Sequence, residues 1–199
     1  MMKKGLIISV SGPSGVGKGT VLAQIRKDNP GFGQSVSVTT RGPREGEKEG
    51  REYFFRSKDE FMKLVEEKEI LEYDEYVGNF YGTPATPLFA MSDGGTDVLL
   101  DLTIAGSMAL KEKFEQAVTV FLLPPSFDEL RRRLEGRGTE SQDIVDKRLL
   151  QSREEIVHAD SFDYVVTNET VEQAAGDIEA IIRAEKLRYA RNKGIEEAL

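Results

Sequence analysis

The stretch LIISVSGPSGVGKGT, Leu6 to Thr20, decides the fold class. Its first six residues form a continuous apolar run, which is typical of a strand buried on both faces of a parallel sheet. The glycine-rich turn that follows fits the pattern G-x-x-x-x-G-K, and Val21 to Ile25 continue with helical spacing. A strand, a glycine-rich loop and a helix in this order predict a phosphate-binding loop.

The predicted loop consists of Gly12, Pro13, Ser14, Gly15, Val16, Gly17, Lys18, Gly19 and Thr20. Its glycines allow successive backbone N–H groups to turn inward around phosphate oxygens, and the following helix points its positive end at the same anion. Lys18 is expected to reach the β- and γ-phosphates of a nucleotide. A glycine-rich turn without a ligand is the alternative. Gly19 stands where a magnesium-binding hydroxyl usually follows the lysine, so Thr20 is the candidate magnesium ligand.

Composition limits the class of protein. The 199 residues are enough for one sizeable core, and 39% hydrophobic with 31% charged residues is the profile of a water-soluble globular chain. Cysteine is absent, so disulfides, thiolate nucleophiles and cysteine zinc sites are excluded, and a cytoplasmic location is expected. No run approaches the roughly 20 apolar residues of a membrane span. A net charge of −8 argues against general affinity for nucleic acid.

Three later runs have the character of the first strand, namely Val98 to Leu102, Val118 to Leu123 and Tyr164 to Asn168. Helical patterns lie between them, and this alternation predicts an α/β fold with a parallel sheet flanked by helices on both faces. The final helical pattern contains Ala174, Ile178 and Ile182, and it is expected to pack back on the sheet.

Two insertions interrupt this alternation. Residues 35–83 are polar, and the pair Ser57 and Glu60 predicts a capping box at the start of one short helix. Residues 126–159 begin with a second predicted capping box, Ser126 and Glu129, and are rich in arginine, which suggests a mobile lid. The core is then residues 1–34, 84–125 and 160–199 of one domain.

Several motifs resemble those of the guanylate kinases. They are SVSVTTRGPREGEKEGREYFF (35–55), GNFYGTP (78–84), PPSFDEL (124–130), GRGTE (136–140), YVVTN (164–168) and the glycine-rich loop. The resemblance extends to about Ala184. It implies a P-loop nucleoside monophosphate kinase that transfers the γ-phosphoryl group of ATP to GMP, and also to dGMP, with Mg²⁺ as cofactor, in purine nucleotide metabolism. Residues 35–83 would then be the GMP-binding segment.

The resemblance also assigns the acceptor site. Its phosphate would be held by Arg41, Arg44, Tyr53 and Tyr81, whose planar guanidinium forks and hydroxyl donors suit that group. The guanine end would be formed by Ser37, Glu72, Thr83 and Asp101. A carboxylate such as Glu72 can accept from guanine N1–H and N2–H while a hydroxyl donates to O6. The same carboxylate would be left unpaired against AMP. A solvated arginine loop is the alternative for isolated arginines.

Two further features concern the donor side and a departure from the family. By resemblance, Arg133 lies against adenine and Asn168 at its edge, while Arg137 and Arg148 close over the transferring group. The candidate catalytic residues are therefore Lys18, Arg41, Arg44, Arg137 and Arg148. The lone histidine, His158, is expected on the surface or at a hinge.

Where the family has two acids separated by one residue, this chain has Asp101 and Thr103. Asp101 is a candidate organiser of the magnesium shell, or a carboxylate satisfied by backbone N–H groups.

Other functions remain open from the sequence. A GTPase should carry a guanine-reading NKxD segment, which the chain lacks. A non-catalytic guanylate-kinase-like binding module usually has a damaged loop, whereas Lys18 and the arginines are present here. A kinase for another nucleoside monophosphate, permitted by Thr103, is the third possibility. ATP and GMP are the expected partners, the chain is a monomer or a homo-oligomer, and large domain closure is predicted.

Overall fold

The structure is a computed structural model that describes residues 4–76, 78–136 and 142–198. Its strands are β1 (Ile7–Ser11), β2 (Val38–Thr39), β3 (Phe54–Phe55), β4 (Ile70–Tyr76), β5 (Asn79–Pro84), β6 (Val98–Asp101), β7 (Val118–Leu123) and β8 (Tyr164–Thr167). Its helices are α1 (Lys18–Asp28), α2 (Lys58–Glu66), α3 (Ala85–Asp93), α4 (Ile104–Lys113), α5 (Phe127–Glu135), α6 (Gln142–Ile156) and α7 (Val171–Leu187). Short 3₁₀ turns lie at Val157–Ser161, Tyr189–Arg191 and Ile195–Ala198.

The central sheet is parallel, with the strand order β6-β1-β7-β8. Because β1 lies between β6 and β7, the loop that follows it emerges at the carboxyl edge of the sheet beside the end of β6. Ligands of open α/β sheets bind at this edge. The four apolar runs of the sequence are the four strands of this sheet, so the predicted fold class is confirmed.

Both faces of the central sheet are covered. Ile8 and Val10 of β1 face a cluster that includes Leu22 of α1 and Ile178 of α7. Ile7, which points the other way, packs in a second cluster with residues of α3 and α4 such as Leu88 and Leu110. Burial on both faces explains the continuous apolar character of the strands. The helix α7 packs on the sheet as its spacing predicts, with Ile178 fully buried.

A second sheet was not predicted. Its order is β3-β2-β5-β4, in which β2 pairs parallel with β3 and antiparallel with β5, and β4 pairs antiparallel with β5. Among the described residues, an apolar cover lies on one face of this sheet, where Phe61 of α2 packs with Val38, Ile70 and Phe80. Half-exposed strands alternate polar and apolar side chains. Because of the polar side chains on the other face, the sequence of this segment resembles that of a loop.

The two predicted capping boxes have different outcomes. At α2, Ser57 and Glu60 exchange both hydrogen bonds of the motif, as predicted. At α5, the Ser126 hydroxyl accepts from the Glu129 N–H at 3.1 Å, but the reciprocal bond is missing from the hydrogen bonds of the described chain. The Glu129 carboxylate accepts instead from Arg132 and Arg133, whose guanidinium groups carry the opposite charge.

The helices α5 and α6 form a small unit with its own apolar cluster, made of Leu130, Leu134, Val145 and Leu149. The predicted site residue Arg137 and the rest of GRGTE beyond Gly136 lie outside the described residues. His158 is exposed in the 3₁₀ turn that follows α6, on the surface as expected. Among the described residues, no helix combines the length and apolar character needed to cross a membrane.

Candidate functional site

The glycine-rich loop joins β1 to α1 and leaves the first turn of α1 open. Gly15 and Gly17 have φ values of 86° and 93°, in the left-handed region that strongly favours glycine. A Cβ atom on Gly17 would lie 2.8 Å from Asn168 Nδ2. Gly17 is the N-cap of α1 and supplies no side-chain hydrogen bond to the helix. The N–H groups of Lys18 and Gly19 are therefore not capped by a side chain and can donate to an anion, whereas those of Thr20 and Val21 donate to the Gly17 carbonyl.

Lys18 is held at the carboxyl edge of β6. Its Nζ lies 2.8 Å from Asp101 Oδ1 and donates to the Leu102 carbonyl at 2.9 Å. The Ser11 hydroxyl donates to the same carbonyl at 2.7 Å. Asp101 is exposed, and its carboxylate pairs with the lysine. The alternative was a carboxylate satisfied by neighbouring backbone N–H groups, and it is wrong for the described chain. A carboxylate beside the loop lysine can orient it before a nucleotide arrives.

The helix α6 contacts the loop at Ser14. Arg148 donates to the Ser14 hydroxyl through Nη2 at 2.7 Å and Nε at 3.1 Å. The Ser14 N–H donates to Glu155 Oε2 at 3.2 Å, so a carboxylate occupies one of the backbone donors of the loop. Ser152 lies between these two positions on α6 and donates to the Ser14 carbonyl at 3.4 Å. Arg148, one of the predicted lid arginines, thus reaches the phosphate loop.

Asn168 and Arg133 meet the loop from the other side, at the Val16 carbonyl. Asn168 is buried at the end of β8, and its Nδ2 donates to that carbonyl at 2.7 Å. Its Oδ1 is buried without a hydrogen-bond partner in the described chain. Arg133 donates to the Val16 carbonyl at 3.2 Å and to the Asn168 carbonyl at 2.9 Å. An unpaired buried acceptor beside a phosphate loop suits a ligand that carries an N–H donor.

Glu129 fixes Arg133 in this position. Its Oε1 accepts from Arg133 Nε at 2.8 Å while both of its oxygens accept from Arg132. The hydrogen bonds from Arg132 and then Arg133 lower the pKa of Glu129 from its ordinary value to about 2. The carboxylate is therefore ionised throughout the neutral range and holds Arg133 against the donor loop.

The second sheet places a compact group of residues around Arg41, which follows β2. The Arg41 guanidinium lies 5.4 Å from the centre of the Tyr53 ring, and that ring lies 5.9 Å from the ring of Tyr81 on β5. Arg41 Nη2 donates to Glu47 Oε1 at 2.8 Å, and the Arg44 N–H donates to Glu47 Oε2 at 2.8 Å. The predicted phosphate-binding residues Arg41, Tyr53 and Tyr81 are thus brought together.

Glu47 links the two predicted acceptor arginines, and sequence reasoning missed it. The hydrogen bond to Glu47 raises the pKa of Arg41, while Arg41 and the Arg44 N–H lower the pKa of Glu47. Both charges are therefore retained over a wide pH range. The Arg44 side chain itself is exposed. An acid three residues after Arg44 in a turn was the signal that could have indicated this contact.

Glu72 lies at an irregularity of the second sheet. Ile70 pairs with Pro84 and Tyr73 pairs with Gly82, so both Leu71 and Glu72 lie opposite Thr83 alone. Such a bulge re-aims a side chain. Glu72 Oε2 accepts from the Thr103 N–H at 3.0 Å and from the Thr103 hydroxyl. Thr83 is buried and Ser37 is half-buried, with its carbonyl accepting from the Phe54 N–H.

The guanylate kinase family model matches residues 2–185 of the chain. The chain belongs to the guanylate kinase family. It is 46% identical over 189 residues to the guanylate kinase of Halalkalibacterium halodurans, a match that covers 95% of this chain and 93% of that protein. The guanylate kinase of Lactococcus lactis subsp. lactis is 48% identical over 191 residues, with 96% and 93% covered.

A solved structure agrees with this assignment. The crystal structure of guanylate kinase from Anaplasma phagocytophilum matches with a TM-score of 0.72 and 37% sequence identity, covering 99% of this chain and 95% of that one. The family resemblance of the motifs is therefore confirmed at the level of both sequence and fold.

In this guanylate kinase family member, one short segment connects the two halves of the site. Asp101 and Leu102 hold Lys18 of the phosphate loop, and the next residue, Thr103, holds Glu72 of the second sheet. The contact between Thr103 and Glu72 was not predicted, although Thr103 lies three residues before Gly106 in a pattern that favours a helix N-cap.

Proposed function

We propose that the chain transfers the γ-phosphoryl group of ATP to GMP, giving ADP and GDP, and that dGMP is also an acceptor. The observation that supports this most directly is the junction at the end of β6. There, Lys18 of the phosphate loop and Glu72 of the acceptor segment are bound to three consecutive residues, Asp101 to Thr103. A donor loop and a base-reading carboxylate at one sheet edge suit a transfer between two nucleotides.

On the donor side, backbone N–H groups of the loop from Gly12 to Thr20, in which Pro13 has none, and the amino group of Lys18 bind the phosphates of ATP. To do so, Lys18 exchanges part of its contact with Asp101 for phosphate oxygens. The adenine ring lies near Arg133, and the buried Oδ1 of Asn168 accepts from an adenine N–H donor. This contact gives the unpaired carbonyl oxygen of Asn168 a partner.

On the acceptor side, Arg41, Arg44, Tyr53 and Tyr81 hold the phosphate of GMP. A phosphate displaces Glu47 from Arg41 and Arg44, since both anions accept from the same donors. Glu72 accepts from the N–H edge of the base, and the hydroxyls of Ser37 and Thr83 serve O6. Residues 35–83 form the acceptor-binding segment and residues 126–159 the lid.

The residues at the loop fit a magnesium ion that arrives with ATP. Among residues 4–76, 78–136 and 142–198, no cluster of three acidic or histidine side chains forms a cage for a metal. Mg²⁺ prefers few protein ligands and several phosphate oxygens and waters, so it does not require a cage of protein side chains. Thr20 and Asp101 would hold the ion, Asp101 indirectly. When bound, it neutralises charge on the transferring phosphates.

The transfer itself needs alignment and charge stabilisation rather than a catalytic base. Lys18 orients the donor, Arg41 and Arg44 orient the acceptor, and Arg148 together with Arg137 stabilises charge on the transferring group when the lid closes. Closure also excludes water and so limits hydrolysis of ATP. We place this reaction in purine nucleotide metabolism in the cytoplasm.

A coupled assay that follows ADP formation tests the proposal, with GMP, dGMP, AMP, UMP and CMP as acceptors in the presence of ATP and Mg²⁺. Turnover with GMP well above that with AMP and the pyrimidine nucleotides is expected. Binding of GMP without turnover would support a non-catalytic binding module instead. Turnover confined to another monophosphate would move the chain to a different acceptor class.

A further inference from the structure

The carboxylate of Glu72 has two oxygens in different situations. Oε2 accepts two hydrogen bonds, from the Thr103 N–H at 3.0 Å and from the Thr103 hydroxyl, and a carboxylate oxygen has two lone pairs to offer. Oε1 has no hydrogen-bond partner among the described residues. One oxygen is therefore committed to the protein and the other is available to a ligand.

The geometry of α4 holds Glu72 in this orientation. The Thr103 hydroxyl accepts from the Gly106 N–H at 3.0 Å, so its own proton is directed at Glu72. A Cβ atom on Gly106 would lie 2.1 Å from Glu72 Oε2, so the carboxylate can lie on the first turn of the helix only because residue 106 is glycine. The positive end of α4 favours a negative group at this position.

This arrangement limits which groups of a purine are read. Guanine presents the O6 acceptor and the N1–H and N2–H donors on one edge, and a carboxylate that reads both donors needs one oxygen for each. With Oε2 committed to Thr103, only Oε1 remains, and it accepts from N1–H. Hypoxanthine has the same O6 and N1–H but lacks the 2-amino group. Adenine has an unprotonated N1, which would face Oε1 as a second acceptor.

We propose that Thr103 sets the base selectivity, so that the chain accepts 6-oxopurine nucleoside monophosphates with little regard to the 2-amino group. Inosine monophosphate is then an acceptor beside GMP. This inference rests on the proposed function. Thr103 acts here as a positioning residue, since it acts on the base through Glu72.

The test compares kcat/KM for GMP, IMP and AMP in the wild-type chain and in Thr103→Asp. A hydrogen bond to a charged group contributes at least about 10-fold, so a wild-type ratio of GMP to IMP below about 10 is expected. Thr103→Asp replaces the hydroxyl donor by a second acceptor for the 2-amino group and should raise that ratio by about 10- to 100-fold. A wild-type ratio above about 10, or a ratio unchanged in the variant, overturns the inference.

Matched variants separate base reading from folding. Aspartate, asparagine and serine are all good N-cap residues, so α4 should form in each variant. Thr103→Ser keeps the hydroxyl and should keep the wild-type ratio of kcat/KM for GMP to that for IMP. Thr103→Asn lacks the added charge, so its ratio should be lower than that of Thr103→Asp. Calorimetric Kd values for GMP and IMP should move in the same direction as KM. AMP should remain a poor acceptor throughout, and its acceptance would contradict reading through N1–H.

The outcomes also separate this inference from the function on which it rests. If the wild-type chain phosphorylates neither GMP nor IMP, the proposed function itself fails. If it phosphorylates GMP but discriminates strongly against IMP, only the role of Thr103 is rejected.

Discussion

Glu47 makes the contacts that an acceptor phosphate would make. Its two oxygens accept from Arg41 Nη2 and from the Arg44 N–H, each at 2.8 Å. Only 16% of the Arg41 side chain and 17% of the Glu47 side chain are exposed, so the pair is partly shielded from solvent. The carboxylate therefore keeps Arg41 oriented, and under the proposed function the phosphate of GMP would have to replace it.

Replacing Arg41 with Met tests its role in acceptor binding. The variant loses a charge-assisted contact to phosphate, so KM for GMP should rise about 10- to 100-fold, with a lower kcat and an unchanged KM for ATP. Steady-state kinetics with each substrate varied in turn measure this. Arg51→Met is the control, because Arg51 lies in the same segment on the surface beside Glu52. Equal kinetics for the two variants would remove Arg41 from the site.

Single residues of the site could be predicted only where a motif names them. Lys18 and the loop glycines follow from the physical chemistry of phosphate binding, and Arg41, Tyr53 and Tyr81 follow from the family motif. Glu47 and Thr103 could not be found in this way, because each acts through contact with another side chain. The Thr103 contact joins residues 31 positions apart and depends on a strand bulge that no local pattern announces.

At the scale of elements, α2 ends in a Schellman motif without glycine. The Glu69 N–H donates to the Leu64 carbonyl and the Lys68 N–H to the Val65 carbonyl, which are the two bonds of that motif. Lys68 occupies the left-handed position with φ 58°. A residue with a Cβ atom is strained in this conformation by roughly 1–2 kcal/mol.

Replacing Lys68 with Gly should therefore stabilise the fold by about 0.5–1 kcal/mol, once the greater flexibility of glycine in the unfolded chain is included. Urea unfolding measures the change. Lys68→Ala is the control, since it removes the same side chain but keeps the Cβ atom, and it should not stabilise. An equal rise in the free energy of unfolding in both variants would mean that loss of the lysine charge, and not relief of backbone strain, causes the stabilisation.

The N-terminal half of α5 should make stability depend on pH. The folded pKa of Glu129 is about 2, below the ordinary value of 4.5, because Arg132 and Arg133 donate to its carboxylate. The contribution of ionised Glu129 to the free energy of unfolding is therefore present above about pH 4.5 and is lost as the pH falls toward 2. The difference in urea midpoint between the wild type and Glu129→Gln should be largest above pH 4.5 and should vanish near pH 2.

Asp128→Asn is the matched control for this titration. Asp128 lies in the same first turn, and it forms no ion pair within the described chain. The difference in urea midpoint between the wild type and Asp128→Asn should depend less on pH. If the two variants give parallel curves, the arginine pair is not the cause of the effect.

The elements themselves could be predicted to different extents. The strands of the central sheet are apolar on both faces and stand out in the sequence, as does α2 with its capping box. The strands β4 and β5 pair at 14 residues or fewer along the chain, yet ILEYDEY and NFYGTP carry many polar residues because one face of their sheet has no apolar cover among the described residues. These polar residues obscured the pattern that would have indicated the sheet.

At the scale of the whole molecule, α6 is coupled to the donor loop. Arg148, Ser152 and Glu155 all contact Ser14. The acceptor segment is coupled to the same edge of the central sheet through Glu72 and Thr103. Both inserted segments therefore contact the carboxyl edge of the central sheet at the ends of β1 and β6. The large closure expected from the sequence stays a prediction.

Glu155 makes this coupling testable. Its carboxylate accepts from the Ser14 N–H at 3.2 Å, so phosphates that bind the loop meet a like charge and a competing acceptor. Replacing Glu155 with Gln removes the charge and should lower the Kd of a non-hydrolysable ATP analogue by about 3- to 10-fold, measured by calorimetry. Glu154→Gln, exposed on the same helix, should leave that Kd unchanged. A Glu155→Gln variant that binds the analogue no more tightly than the wild type would mean that the Glu155 carboxylate does not oppose donor binding.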